Sequence, residues 1–149
     1  MRYIEINENP PVPGGGAPAN RFSFTKVLVK DLDKMAAFYT GVFGFRPLER
    51  LIANAGPGIG EIEEILLSIS SDPGQEPPLV LFKLLEKPAP KDTDTILGLI
   101  VSDFDGVLKR LCAAGGSVVS DSPEHPETVA RCAFARDPEG RLLEIVHMP

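Results

Sequence analysis

The feature that most constrains the fold of this chain is an internal repeat. At an offset of 72 residues, segment 28–33 (LVKDLD) aligns with segment 100–105 (IVSDFD), and Gly44 aligns with Gly116. In both copies an apolar, β-branched run precedes an aspartate and then a helix-type pattern. Such self-similarity predicts two copies of one supersecondary unit, which pack together because neither buries its apolar surface alone.

The helix-type pattern is a single apolar stripe in each half, at spacings i, i+3, i+4 and i+7. The stripes consist of Met35, Phe38, Tyr39 and Val42, and of Phe104, Val107, Leu108 and Leu111. A stripe of this width predicts a helix that lies on a sheet. Asp31 or Asp33 is the candidate N-cap of the first helix and Asp103 that of the second, because their side chains can accept the first free N–H groups. Gly44 and the pair 115–116 are the expected ends.

Three strand-like segments follow each helix. They are residues 46–53, 61–70 and 78–85 in the first half, and residues 117–120, 128–136 and 141–147 in the second. The sequence DPEG at 137–140 predicts a turn. Each half is therefore a βαβββ module with one sheet face covered by its helix and the other bare. We expect an α+β fold in which two modules form a curved eight-stranded sheet with a central cup.

Proline and glycine mark the domain organisation. Residues 1–21 form an extended Pro/Gly-rich arm, in which positions 7–20 show no periodicity and several helix and strand breakers. The domain then covers 22–149, with modules at about 22–88 and 94–149 on either side of a proline-rich connector at 86–92.

Composition excludes several classes of protein. A chain of 149 residues with 43% hydrophobic and 24% charged residues is a globular domain and not a disordered chain. A net charge of −6 without a basic run argues against nucleic acid and membrane surfaces as partners. The sequence shows neither a secretory signal nor a run that spans a bilayer. Two cysteines are too few for a disulfide scaffold, so we expect a cytoplasmic protein with reduced thiols.

At this point the sequence resembles the vicinal oxygen chelate superfamily, which includes glyoxalases, bleomycin resistance proteins and ring-cleavage dioxygenases. The resemblance covers residues 22–148. It is carried by 27–33 (VLVKDLD), Phe38–Tyr39, Gly44–Phe45 and 137–144 (DPEGRLLE). It implies the glyoxalase-like fold, a small-molecule ligand and a homodimer. The family builds its cup within one chain or across two exchanged halves, and the connector suits either arrangement. The arm at 1–21 could lie over a partner subunit.

The resemblance also implies one divalent metal in the cup, held by His, Glu or Gln from four strands. Carried over, the ligand positions are Phe24, Leu81 (give or take one residue), Ile96 and Glu144. Only Glu144 can bind a metal, and a register slip of one residue brings in no histidine or carboxylate. A single carboxylate does not hold a catalytic divalent ion against water. We therefore expect no metal and no other cofactor.

The same carry-over predicts the lining of the cup. Because side chains alternate along a strand, Lys26 and Lys83 point inward with these positions. The candidate ligand-binding residues are Phe24, Lys26, Leu81, Lys83, Ile96 and Glu144. An apolar floor with one carboxylate and two ammonium groups suits an anionic or aromatic small molecule. Arg131 is a further candidate cation at the rim, whereas Tyr39, Cys112 and Cys132 are expected in the core.

Three functions remain open at this stage. The first is a metal-independent small-molecule-binding protein that resembles the bleomycin resistance proteins. The second is a metal-free lyase or isomerase in which Glu144 acts as a base and Lys26 or Lys83 holds the resulting anion. The third is a metal-dependent glyoxalase or dioxygenase, against which the substituted ligand positions argue. Glu144 could equally form an ion pair with a nearby lysine or arginine and have no other role.

Overall fold

The structure is a computed structural model, which describes residues 22–72, 76–91, 94–122 and 131–148. The arm predicted at 1–21 and the first three residues of the strand predicted at 128–136 lie outside these residues. Module 1 consists of β1 (Thr25–Leu28), α1 (Leu32–Phe43), β2 (Arg46–Asn54), β3 (Glu61–Ser68) and β4 (Leu79–Leu84). Module 2 consists of β5 (Ile96–Ile100), α2 (Phe104–Ala113), β6 (Ser117–Ser122), β7 (Arg131–Arg136) and β8 (Leu142–His147).

The eight strands form two four-stranded sheets with the same topology. The strand orders are β1-β4-β3-β2 and β5-β8-β7-β6. In each sheet the first and last strands of the module are parallel neighbours, and the other pairs are antiparallel. Within the described ranges no strand of one sheet pairs with a strand of the other, and the barrel is not closed. The predicted α+β fold of two βαβββ modules is therefore confirmed, with the eight strands divided between two sheets.

The helix boundaries follow from local capping chemistry. Asp31, and not Asp33, is the N-cap of α1, and its carboxylate accepts a hydrogen bond from the Lys34 N–H at 3.0 Å. Asp103 accepts from the Gly106 N–H at 3.1 Å at the start of α2. Gly44 ends α1 with a φ of 82°, a left-handed conformation that glycine adopts without a steric penalty.

One hydrophobic core extends through both modules. The two helices contact each other, and the apolar stripe of each lies against its own sheet. The largest fully buried side chains include Met35 and Tyr39 of α1, Leu111 of α2, and Leu143 of β8. Tyr39 and Cys132 are buried as expected, whereas Cys112 is exposed because it lies beside the stripe and not on it.

A buried polar network joins the two modules. The Tyr39 hydroxyl donates to Asp137 Oδ2 at 2.8 Å, and the Arg141 guanidinium donates to the same oxygen at 3.1 Å. Arg141 also donates to the backbone carbonyl of Leu28 at 2.6 Å. Asp137 and Arg141 are each only 3% exposed. Because buried polar groups are costly unless they are paired, this network fixes the turn before β8 against β1 and α1.

None of the helices in the described part of the chain is long and apolar enough to cross a membrane.

Candidate functional site

Each sheet has one face that its own helix does not cover, and we call this side the open face of the module. On β1, Val27 is buried towards α1, so that Lys26 and Leu28 point to the opposite side. The side-chain alternation and the strand register then place Glu64 of β3 and Phe82 of β4 on the open face of module 1. The open face of module 2 carries Ile96, Gly98, Ile100, Phe134 and Glu144.

A lysine and a glutamate form the polar centre of the open face of module 1. Lys26 Nζ lies 2.5 Å from Glu64 Oε2. The same ammonium group lies 4.9 Å from the centroid of the Phe82 ring and 5.5 Å from that of Phe24, which are cation–π distances. Glu64 is only 7% exposed, so Lys26 supplies the opposite charge that a buried carboxylate requires. The pair has no net charge.

The open face of module 2 has a different polar centre. Glu144 accepts a hydrogen bond from the Cys132 thiol at a sulfur–oxygen distance of 3.5 Å. Across the ladder it faces Gly98 of β5 on one side and Phe134 of β7 on the other. Among the residues that the structure describes, no lysine, arginine or histidine forms an ion pair with Glu144. This carboxylate therefore lacks the cationic partner that Glu64 has.

Burial changes the acidity of the neighbouring thiol. The removal of Cys132 from solvent raises the pKa of its thiol, and the hydrogen bond to Glu144 and the negative charge of this carboxylate raise that pKa further. Cys132 is consequently a protonated donor at neutral pH and not a nucleophile.

Four of the six predicted ligand-binding residues lie on the open faces: Phe24 and Lys26 in module 1, and Ile96 and Glu144 in module 2. The other two do not. Leu81 is fully buried in the core beneath α1, and Lys83 shares that side of β4. The fourth ligand position was expected at Leu81, give or take one residue, and the strand register places it at Val80.

Strand pairing gives the physical reason for this correction. Val80 pairs with Lys26 of β1 as Glu144 pairs with Gly98 of β5. Val80 is therefore the counterpart of Glu144, and it precedes Glu144 by 64 residues, whereas Lys26 precedes Gly98 by 72. The offset shrinks because the segment between α1 and β4 is longer than its counterpart in module 2. The offset of 72 residues that relates β1 to β5 therefore does not apply to β4 and β8.

The corrected positions do not fit the metal that the resemblance implies. Phe24, Val80 and Ile96 have no side-chain donor atom, and Glu144 is the single oxygen ligand among the four. In the described ranges there is no group of three or more His, Cys, Asp and Glu side chains that could hold an ion. His147 lies elsewhere, with its Nδ1 3.0 Å from the Val101 carbonyl oxygen.

Arg131, the further candidate cation, lies on the helix side of its sheet. Its guanidinium pairs with Asp105 at 2.8 Å and Asp121 at 3.0 Å and stacks on the Phe104 ring at 4.2 Å. The expectation of an anionic ligand rested on inward-facing cations. Of these, only Lys26 lies on an open face, and Glu64 neutralises it.

Sequence reasoning missed Glu64, Phe82 and Phe134. Glu64 follows Glu63, and the two side chains point to opposite faces of β3. The sequence alone therefore does not show which glutamate lies on the open face. The Glu64 side chain is revealed only by its distance to Lys26 across two strands. Phe82 lies in an apolar run with no alternation, which hides the inward face of β4.

Comparisons with known proteins identify the family to which this fold belongs. Residues 21–145 match the family described as the Glyoxalase/Bleomycin resistance protein/Dioxygenase superfamily. No curated protein matches the chain significantly.

Among solved structures, a glyoxalase family protein from Bacillus cereus is similar to the chain with a TM-score of 0.72 and 19% identity, over 89% of this chain and 97% of the other. The fosfomycin resistance protein FosX from Listeria monocytogenes has a TM-score of 0.62 and 16% identity, over 89% and 96% of the two chains. TioX from Micromonospora sp. ML1 has a TM-score of 0.58 and 26% identity, over 87% and 100%. With its fold and most of its length matched, the chain belongs to the glyoxalase/bleomycin resistance protein/dioxygenase superfamily.

Proposed function

We propose that this chain is a metal-independent small-molecule-binding protein, similar in role to the bleomycin resistance proteins of its family. The observation that carries the proposal is the composition of the open faces, where apolar side chains replace three of the four metal ligands. Phe24 is 50% exposed, Ile96 52% and Ile100 72%. Large apolar side chains that are this exposed on faces not covered by a helix are typical of a surface that binds a ligand or another protein.

An aromatic ligand suits these faces. Phe24 and Phe82 flank the Lys26–Glu64 pair on module 1, and Phe134 lies next to Glu144 on module 2. Aromatic rings pack on one another in offset or edge-to-face geometry, which adds to the free energy from burial of apolar area. A few polar groups on an apolar surface then orient the ligand.

A second copy of the chain completes the cup in this proposal. The open faces of one chain leave Phe24, Ile96 and Ile100 exposed, and strands β1 and β5 are free edges of their sheets. A homodimer that sets the open face of module 1 of one copy opposite that of module 2 of the other would cover these side chains. We also propose the cytoplasm as its location, since both cysteines are free thiols.

The test uses a neutral aromatic probe, dansyl amide, whose fluorescence rises in an apolar site. After treatment with a chelator, we expect the protein to bind the probe as before. Offering Ni, Mn, Fe, Co or Zn should change neither the affinity nor the melting temperature. Phe82→Ala should weaken probe binding about tenfold through lost ring contact. Ile59→Ala is the matched control, because Ile59 is exposed in the turn between β2 and β3.

Two results would contradict this proposal. A stoichiometric metal that stabilises the protein, and that Glu144→Gln abolishes, would restore a metal-dependent enzyme. Turnover of a bound compound that Glu144→Gln abolishes without loss of binding would instead establish the metal-free enzyme with Glu144 as its base.

A further inference from the structure

The repeat relates the two open faces, so that the residues at equivalent positions of the two modules can be compared. Lys26 pairs with Val80, and its counterpart Gly98 pairs with Glu144. Module 1 therefore carries a lysine where module 2 carries a glycine. Module 2 in turn carries a carboxylate where module 1 carries a valine.

Module 1 shows how a primary ammonium group sits on this surface. Lys26 Nζ makes an ion pair with Glu64 and lies over the rings of Phe24 and Phe82. A carboxylate combined with aromatic faces is a general recognition mode for organic cations. In module 1 the protein's own side chain occupies that position.

Gly98 has no structural reason to be a glycine. Apart from its two chain neighbours, no heavy atom of the described residues would lie within 4 Å of a Cβ added at this position, and φ is not positive there. The β5–β8 register runs without a bulge. Because glycine weakens the interior of a strand, its presence without a turn, bulge or clash indicates close approach of another molecule. It leaves the space beside Glu144 open.

We infer that Gly98 and Glu144 form the binding site for the cationic group of the ligand, a protonated amine on an aromatic or apolar body. The ligand's ammonium group binds in the space that Gly98 leaves open, with Glu144 as its counter-charge and Phe134 beside it. This inference rests on the proposed binding function and adds the charge of the ligand. It replaces the anionic ligand that the sequence suggested.

Three dansyl probes that share one ring system and differ in charge test the inference: dansylcadaverine (ammonium), dansyl amide (neutral) and dansylglycine (carboxylate). We expect dansylcadaverine to bind about tenfold more tightly than dansyl amide, and dansylglycine to bind most weakly. Glu144→Gln should remove these differences between the probes, because the amide keeps the size of the side chain but not its charge.

Substitutions at Gly98 provide the second arm. Gly98→Lys should place an internal ammonium group on Glu144 and weaken dansylcadaverine binding about tenfold, while Gly98→Ala should preserve the preference for the cation. Melting temperatures confirm that both variants fold.

Equal affinities for the three probes would overturn the inference and leave the proposed binding function intact. Equal weakening of all probes by Gly98→Ala would also overturn it, since the glycine would then serve the close approach of the ligand body or of a second copy. If no probe binds, the proposed function and this inference both fail.

Discussion

Among the residues that the structure describes, Tyr39 is one whose ionisation the fold alters strongly. Its removal from solvent raises the pKa of the phenol well above the usual value of 10.0, and the negative charge of Asp137 raises it further. The hydroxyl therefore stays protonated in the folded chain and donates its hydrogen bond across the module boundary. In the unfolded chain the same group ionises near its usual pKa.

This difference sets a pH dependence with a definite sign. Above pH 10.0 the unfolded state loses the Tyr39 proton and the folded state keeps it, so the free energy of unfolding falls as pH rises. Tyr39→Phe should lower stability by about 1–2 kcal/mol at neutral pH, since Asp137 loses a donor. It should also flatten the decline at alkaline pH. Urea unfolding of the wild type and of Tyr39→Phe, below and above pH 10.0, measures the free energy of unfolding of each. If this free energy falls equally in the two proteins as pH rises, Tyr39 is not the source of the decline.

The two thiols should differ in reactivity. Cys112 is exposed, whereas Cys132 is buried and its thiol pKa is raised. At neutral pH we expect iodoacetamide to modify Cys112 first, because the thiolate is the reacting form. Glu144→Gln should increase the rate at which iodoacetamide modifies Cys132, because the neutral amide no longer opposes ionisation of the thiol. The Cys112→Ser substitution, made with and without Glu144→Gln, leaves Cys132 as the cysteine whose modification mass spectrometry follows. If Glu144→Gln does not change the rate of Cys132 modification, the contact between Cys132 and Glu144 is contradicted.

At the scale of helices and strands, the sequence best predicts those features that depend on interactions between residues close together in the chain. Both helices are where their stripes predict, because the stripe, the N-cap aspartate and Gly44 all act within a turn or two. The orientation of β4 could not be predicted. Residues 79–82 are apolar on both faces, so no alternation marks the side that faces α1. The Lys83 side chain adds a misleading cue, because a charged residue suggests the open face.

Two glycines provide a matched prediction at this scale. A Cβ on Gly116, between α2 and β6, would lie 2.7 Å from the Arg136 carbonyl oxygen and from a Leu111 methyl group. Gly116→Ala should therefore destabilise the protein by about 1–3 kcal/mol, because the backbone carbonyl cannot yield cheaply. Gly98→Ala, with open space around it, should leave stability unchanged or slightly raised. Thermal unfolding compares the stability of the two variants. If Gly116→Ala and Gly98→Ala lower the melting temperature equally, this account of the α2–β6 contact is contradicted.

At the scale of the whole molecule, the exposed open faces predict the oligomeric state. We expect the chain to be a dimer in solution, measured by light scattering after size-exclusion chromatography. Ile100→Lys should shift it to a monomer, because an ammonium group replaces a side chain that the partner would bury. Ile59→Lys, in the turn between β2 and β3, is the control and should remain dimeric. A wild-type monomer at high concentration would refute the shared cup.

The polar network between the modules also orders events during folding of the chain. Tyr39 and Asp137 are 98 positions apart, and Leu28 and Arg141 are 113 apart. Contacts this distant in sequence form late, since the intervening loop must close first. We therefore expect the Tyr39 hydroxyl to gain its Asp137 partner only when the two modules dock, late in folding. A chain that has not reached this docking step still exposes apolar surface of both modules and should be prone to aggregate.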